Sequence, residues 1–200
     1  MTLGAILAAA ILVQGPTIEM SISTDGREVG KAWLSQRLDA TGKKTYAKLI
    51  MGDTKIVETA EYGLDGTPKL KISTRTLGAN TVRFEALFSN GKVSLKSGDT
   101  TTTVPYPEAG SLKALSELWF LQTKPKANHI VEYQRFDLYA KAFVPCKVIY
   151  VGRETIEILG KKTSANRVKV DSKTDAWLDD RGDPYRMIID GKTRFERVAR

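Results

Sequence analysis

One histidine and one cysteine bound the covalent chemistry open to this chain of 200 residues. A serine nucleophile of the triad type needs an imidazole that takes the serine proton and returns it. His129 is the sole candidate. It follows Lys124-Pro125-Lys126-Ala127-Asn128, a polar stretch that reads as a connection between elements. No Gly-x-Ser-x-Gly elbow occurs to raise a serine on a tight turn. Cys146 is distant from His129 in sequence, and Val144-Pro145-Cys146-Lys147 carries no nucleophile signature. A lone thiol closes no intramolecular disulfide, and one thiol with one imidazole falls short of a zinc ligand set. Asp179-Asp180-Arg181-Gly182-Asp183 is acidic but lacks the ligand ladder and closing glutamate of a calcium loop, so it reads as a β-turn. No glycine-rich phosphate cradle occurs. Carboxylate pairs for glycoside hydrolysis are set in space, and the sequence marks none. The expectation is therefore no catalytic residue, no metal and no cofactor.

Binding chemistry is less constrained. Aromatic and basic side chains interleave over Tyr133-Gln134-Arg135-Phe136-Asp137-Leu138-Tyr139. Such a face can stack bases. Without the glycine-aromatic motif of RNA-binding sheets it reads better as a strand with alternating core and surface positions, so no nucleic acid is expected. The 31 basic and 23 acidic residues leave a net charge of +8, which favours an anionic partner such as a cell-envelope component. The charge is spread along the chain, from Lys43-Lys44 to Arg194, Arg197 and Arg200, with no block forming an interaction tail. Lysines spread in this way also guard strand edges against aggregation.

The elements that must position these residues are strands. Ile18, Met20 and Ile22 alternate with polar neighbours, as do Leu70 and Ile72, Val82 to Phe88, Val168 and Val170, and Tyr185, Met187 and Ile189. Further strands are expected near 29–38, 44–51, 54–62, 92–96, 130–136, 138–144, 147–151, 153–159, 174–179 and 193–198. Asn90-Gly91 is the strongest of the hairpin signals, which include Asp25-Gly26, Asp65-Gly66 and Asp190-Gly191. The pattern predicts an antiparallel meander: a single curved sheet, a half-barrel or open barrel of about 10–14 strands. One segment departs from it. After Pro105 and Pro107, Ser111 can cap a short helix over 111–122, with Leu112, Leu115, Leu118 and Trp119 forming an apolar stripe. The helix is expected to pack on the sheet or close one mouth of it.

Residues 3–13 are apolar or small and too short a run to span a bilayer. Residues 1–15 therefore read as a signal peptide, and 16–200 as one β domain of a periplasmic or secreted protein. No other segment is long and apolar enough to cross a membrane.

The motifs Glu28-Val29-Gly30, Val151-Gly152-Arg153-Glu154, Ala176-Trp177-Leu178-Asp179-Asp180-Arg181-Gly182, Tyr185-Arg186-Met187 and Thr193-Arg194-Phe195-Glu196-Arg197 resemble those of uncharacterised bacterial exported β domains. These in turn resemble the half-barrel of periplasmic lipoprotein carriers. The resemblance implies a curved antiparallel sheet with a short helix on its concave face, and an apolar surface able to hold a lipid or acyl chain. The expected lining is Leu115, Leu118 and Trp119 from the helix, with Phe84, Phe88, Trp33 and Trp177 from the strands; the same residues are core if the sheet closes tightly. Two other functions fit the same sequence: an envelope interaction module acting through its basic surface without a small ligand, and a hydrolase using carboxylates placed by the fold.

Overall fold

The computed structural model describes residues 17–107 and 125–199. The expected leader and the expected helix over 111–122 lie outside them. The described residues are all-β, and fourteen strands form a single open antiparallel sheet. They are β1 (Ile18–Thr24), β2 (Arg27–Asp39), β3 (Gly42–Met51), β4 (Thr54–Tyr62), β5 (Pro68–Leu77), β6 (Asn80–Ser89), β7 (Lys92–Ser97), β8 (Thr100–Pro105), β9 (His129–Asp137), β10 (Ala142–Ile158), β11 (Lys161–Val170), β12 (Thr174–Leu178), β13 (Pro184–Ile189) and β14 (Thr193–Ala199).

Strand order runs β8-β7-β6-β5-β4-β3-β2-β1-β14-β13-β12-β11-β10-β9. The first and last strands of the described chain thus pair at the centre of the sheet. Two meandering arms leave that seam, β2–β8 on one side and β13–β9 on the other. The seam is also a core. Ile18, Met20 and Ile22 are fully buried, with Ala32 and Phe195 beside them and Leu34, Leu49, Met187 and Ile189 around them. Asn90 and Gly91 both adopt positive φ, as the expected hairpin between β6 and β7 requires.

One expected boundary moves. The separate strands near 147–151 and 153–159, with the end of the one near 138–144, form one continuous β10, and residues 138–141 form the turn that precedes it. Pro145 reads as a break because it cannot donate to a ladder. It is tolerated here because β10 pairs with β9 over Ala142–Tyr150 but with β11 only from Val148 onward. A register shift between Tyr150 and Gly152 bends the strand without ending it.

Cross-strand pairs share a face, so the register can be followed outward from the seam. On one arm the chain of partners Ile18, Leu34, Ala47, Glu58, Ser73 and Phe84 defines the inner face. On the other arm Ile22, Phe195, Met187, Ala176, Val168 and Tyr150 continue the same face, which at β9 carries Val131, Tyr133 and Arg135. Phe136 and Phe143, a cross-strand pair, point the other way. Even so, both pack against the inner face of β6 and β7. Phe136 meets Phe88 edge-on with centroids 5.8 Å apart, and joins Ala86, Val93 and Leu95 in one cluster. The tip of the second arm is therefore tucked inside the first. The sheet rolls over itself rather than closing edge to edge, and the end of β9 at Phe136 is buried on both faces.

Replacing Phe136 by Ala is expected to lower stability by about 3–5 kcal/mol. Leu87→Ala, on the outward face of β6 and 51% exposed, should change it by less than about 0.5 kcal/mol. Denaturant titration of both variants checks the roll, and a Phe136→Ala cost no larger than that of Leu87→Ala would contradict it.

Candidate functional site

Rolling the sheet leaves a gap between the inner face of β2–β5 and the tucked tip of the second arm. This gap is a cavity of about 410 Å³. One wall comes from inner-face positions of the first arm, including Leu34, Gln36, Thr45, Ala47, Glu58, Ala60 and Lys71. The opposite wall is the run 135–139 at the end of β9. Consecutive rather than alternate residues line the cavity there. β9 hydrogen-bonds to β10 alone, so it presents its edge to the space.

The tip is fixed by a polar chain. Ser73 is completely buried, and its hydroxyl donates to Glu58 Oε1 at 3.1 Å. A serine has one proton to give, so the 3.0 Å contact with Tyr139 runs from the tyrosine hydroxyl to Ser73 Oγ. The Tyr139 ring also meets Phe84 edge-on at 5.3 Å. Asp137 closes the turn, its Oδ1 accepting from the main-chain N–H of Tyr139 and of Ala140, both at 2.8 Å. Two carboxylates of the lining, Glu58 and Asp137, are thus engaged in holding the structure.

The end of the cavity is the β12–β13 connection, of which Gly182, Asp183 and Pro184 line the space. Asp179 organises that turn as the sequence predicts, its Oδ1 accepting from the N–H of Arg181 and of Asp183 at 2.9 Å. The turn is docked from two sides. Gln36 Nε2 donates to the Arg181 carbonyl at 3.1 Å. Arg197, 5% exposed, donates from Nε and Nη2 to the Pro184 carbonyl at 3.0 and 2.8 Å and lies 4.3 Å from the Tyr185 ring centroid. Lys43 completes the cluster from β3. Its strand starts at Gly42, where φ is +138° and a Cβ would collide with the Tyr62 carbonyl, so only glycine lets β3 begin there. Burial pushes the Lys43 ammonium down, against the attraction of Asp183 and Asp179. Burial pushes the Asp183 carboxyl up, with help from Asp179 and against Arg197, Lys43 and Arg181. In both groups desolvation outweighs the opposite charges.

The candidate residues from the sequence fall in three places. Leu115, Leu118 and Trp119 lie outside the described residues. Phe84 and Phe88 are on the inner face, packed against Tyr139 and Phe136, and so support the cavity wall from behind. Trp33 and Trp177 are on the outer face, because each is one residue out of phase with the inward Ala32 and Ala176. Trp33 pairs with Lys48, whose ammonium lies 4.8 Å from its ring centroid. Trp177 donates from Nε1 to Glu154 Oε2 at 3.0 Å and sits between the guanidinium groups of Arg167 and Arg186. The lining residues that sequence reasoning missed, Glu58, Lys71, Arg135 and Asp183, are polar side chains at inward or loop positions. For Glu58 and Arg135 the available signal was an inward charge after apolar inward neighbours, Ile56 and Tyr133.

Cys146 and His129 do not meet. Their partners Tyr133 and Tyr150 place them four ladder steps apart, about 13 Å. Cys146 is buried, and burial pushes its thiol up, opposed by Tyr133, which disfavours a thiolate. Among the described residues no group of three or more His, Cys, Asp and Glu converges on a metal position, and no helix is long and apolar enough to cross a membrane.

The fold is similar to that of a solved β-barrel-like protein of DUF1849, a domain of unknown function, from Brucella abortus. That chain is 15% identical, with a TM-score of 0.63 over 91% of this chain and 94% of the other. At this identity the likeness concerns the fold. A DUF1089-family protein from Pseudomonas aeruginosa is 10% identical, with a TM-score of 0.43 over 77% of this chain and 87% of that one. No protein-family model and no curated protein matches the chain.

The cluster at the cavity end predicts a pH dependence. Asp183 holds its proton more tightly folded than unfolded, because its folded value lies above the ordinary 3.8. Its contribution to stability is therefore full below that value and is lost as pH rises through the folded value. The melting temperature of the native chain relative to Asp183→Asn should fall as pH is raised from the acid end of the carboxylate range toward neutrality. A relative rise over that window would contradict the assignment.

Proposed function

We propose that this chain is a non-catalytic binding domain that holds a hydrophobic, acyl-type ligand in the cavity between β2–β5 and the edge of β9. The observation that carries this reading is the cavity itself. At 410 Å³ it falls in the range of about 300–1,000 Å³ that small-molecule sites occupy. Leu34, Ala47, Ala60, Phe136 and Leu138 give it apolar walls. The apolar leader supports an extracytoplasmic setting, where a carrier for such ligands is useful. Outer-face basic groups are partly neutralised: Arg167 pairs with Glu154 and Asp175, and Arg186 and Arg194 with Glu196. That pairing weighs against a role resting on the basic surface alone. Glu58 and Asp137 are engaged with Ser73 and the turn, which favours binding over carboxylate-dependent hydrolysis.

Ala60 points into the cavity from β4, at the same face as Thr45 and Lys71. A tryptophan there fills space that no described residue occupies, so Ala60→Trp should keep the fold and block the site. Native mass spectrometry with added dodecanoate is expected to give a complex with the unaltered protein and none with the variant. Equal binding by the two, or binding by neither, would overturn the reading.

A further inference from the structure

Arg135 is the group in the cavity without an internal role. It follows Val131 and Tyr133 along the inner face of β9. Those two side chains are in the core, with Cys146, Val148 and Val168. The next inward position would continue that row, and it carries a guanidinium that lines the cavity instead. The residue is half-buried. It makes no hydrogen bond or ion pair with any described residue. Three other arginines of this half of the sheet differ: Arg167, Arg186 and Arg197 each bond to a carboxylate or carbonyl. A guanidinium cannot shed its proton to escape partial burial, and it keeps five donors to satisfy. The neighbouring lining carboxylates do not satisfy them. Glu58 accepts from Ser73, Asp137 accepts from the turn, and Asp183 faces the charges of Arg197, Lys43 and Arg181.

Building on the binding reading above, we propose that Arg135 is the anchor for the head group of the ligand, and that the ligand is a single acyl chain ending in a free carboxylate. The planar fork of a guanidinium matches the two oxygens of a carboxylate. The apolar walls Leu34, Ala47, Ala60 and Leu138 then take the chain. Charge distinguishes among anionic head groups. Three carboxylates line the space against two cations, Arg135 and Lys71, so a monoanion is tolerated better than a phosphate monoester, which carries a charge of about −1.5 to −2. Volume distinguishes among lipids. The 410 Å³ of the cavity lies near the low end of the range for small-molecule sites, about 300–1,000 Å³, and suits one chain rather than a lipid with several.

The test compares head groups on one chain length. Dodecanoate, dodecanol and dodecyl phosphate are titrated calorimetrically, below their micelle-forming concentrations, into the native chain, Arg135→Gln and Arg135→Lys. The native chain should bind dodecanoate about ten- to a hundredfold more tightly than dodecanol, the scale of a charge-assisted hydrogen-bonded pair, and more tightly than dodecyl phosphate. Arg135→Gln should bring dodecanoate and dodecanol to similar affinities, chiefly by weakening dodecanoate. Arg135→Lys, which keeps the charge without the fork, should fall between. Equal binding of dodecanoate and dodecanol by the native chain would overturn the anchor but leave the acyl-binding reading standing. Tighter binding of dodecyl phosphate would overturn the carboxylate. Binding of none of the three would overturn the binding reading itself. The head-group comparison in the native chain decides the matter even where a variant fails to fold.

Discussion

The packing of Phe136 and Phe143 against the inner face of β6 and β7 is the contact on which the rest of this molecule depends. A fourteen-stranded antiparallel sheet with both ends open would expose an apolar face along its whole width. Strand twist curls such a sheet, and burial of apolar area drives one arm over the other. Here the outer face of β9–β10 becomes the surface that the first arm covers. Two edge-on aromatic contacts cross the overlap, Phe88–Phe136 at 5.8 Å and Tyr106–Phe143 at 5.7 Å, and the cross-strand pair Phe136–Phe143 at 5.1 Å links them. The roll hides the edge of β9 and leaves β8 as the outer edge.

The cavity is a by-product of that geometry. An arm that tucks inside another must stop somewhere, and the β9–β10 turn stops where Tyr139 reaches Ser73 and Phe84. Beyond it no described residue covers the inner face of β2–β5, and the β12–β13 turn closes the far end under the hold of Arg197 and Gln36. Packing the space with larger side chains would have been simple: Ala47 and Ala60 are small where neighbouring inward positions carry Leu34, Leu49 and Phe84. Small side chains on one wall and an uncommitted guanidinium on the other favour an occupant over a filled core. Lys43 and Asp183 bear a desolvation cost that the opposite charges around them do not offset, and both sit beside the turn that ends the cavity.

Much of the architecture is legible in the residue pattern. Period-2 alternation at Ile18–Ile22 and Val168–Val170, with paired turn residues such as Asn90-Gly91, specifies strands, hairpins and an antiparallel meander. Alternation reports which residues share a face, but not what that face packs against. The roll is therefore hidden, although it leaves one trace: after Val131 and Tyr133 the next apolar residue is Phe136, three positions on instead of two. That phase change marks a strand whose end is buried on both sides. Trp33 and Trp177 illustrate the converse. Their size draws attention to the pocket, whereas their phase relative to Ala32 and Ala176 sets them on the outer face. Pro145 reads as the end of a strand because the sequence does not say that β10 has only one neighbour there. The lining charges Glu58, Lys71, Arg135 and Asp183 come together from distant parts of the chain, and no local pattern announces a cluster built by tertiary contact.

The central claim is that the space enclosed by the roll is a binding site whose polar end is Arg135. A crystal structure of the protein grown with dodecanoate tests it most directly. The account predicts a chain lying between Ala60 and Leu138, with its carboxylate within hydrogen-bonding distance of the Arg135 guanidinium. A ligand seated on the outer face beside Trp33 or Trp177, with the cavity holding only water, would contradict it.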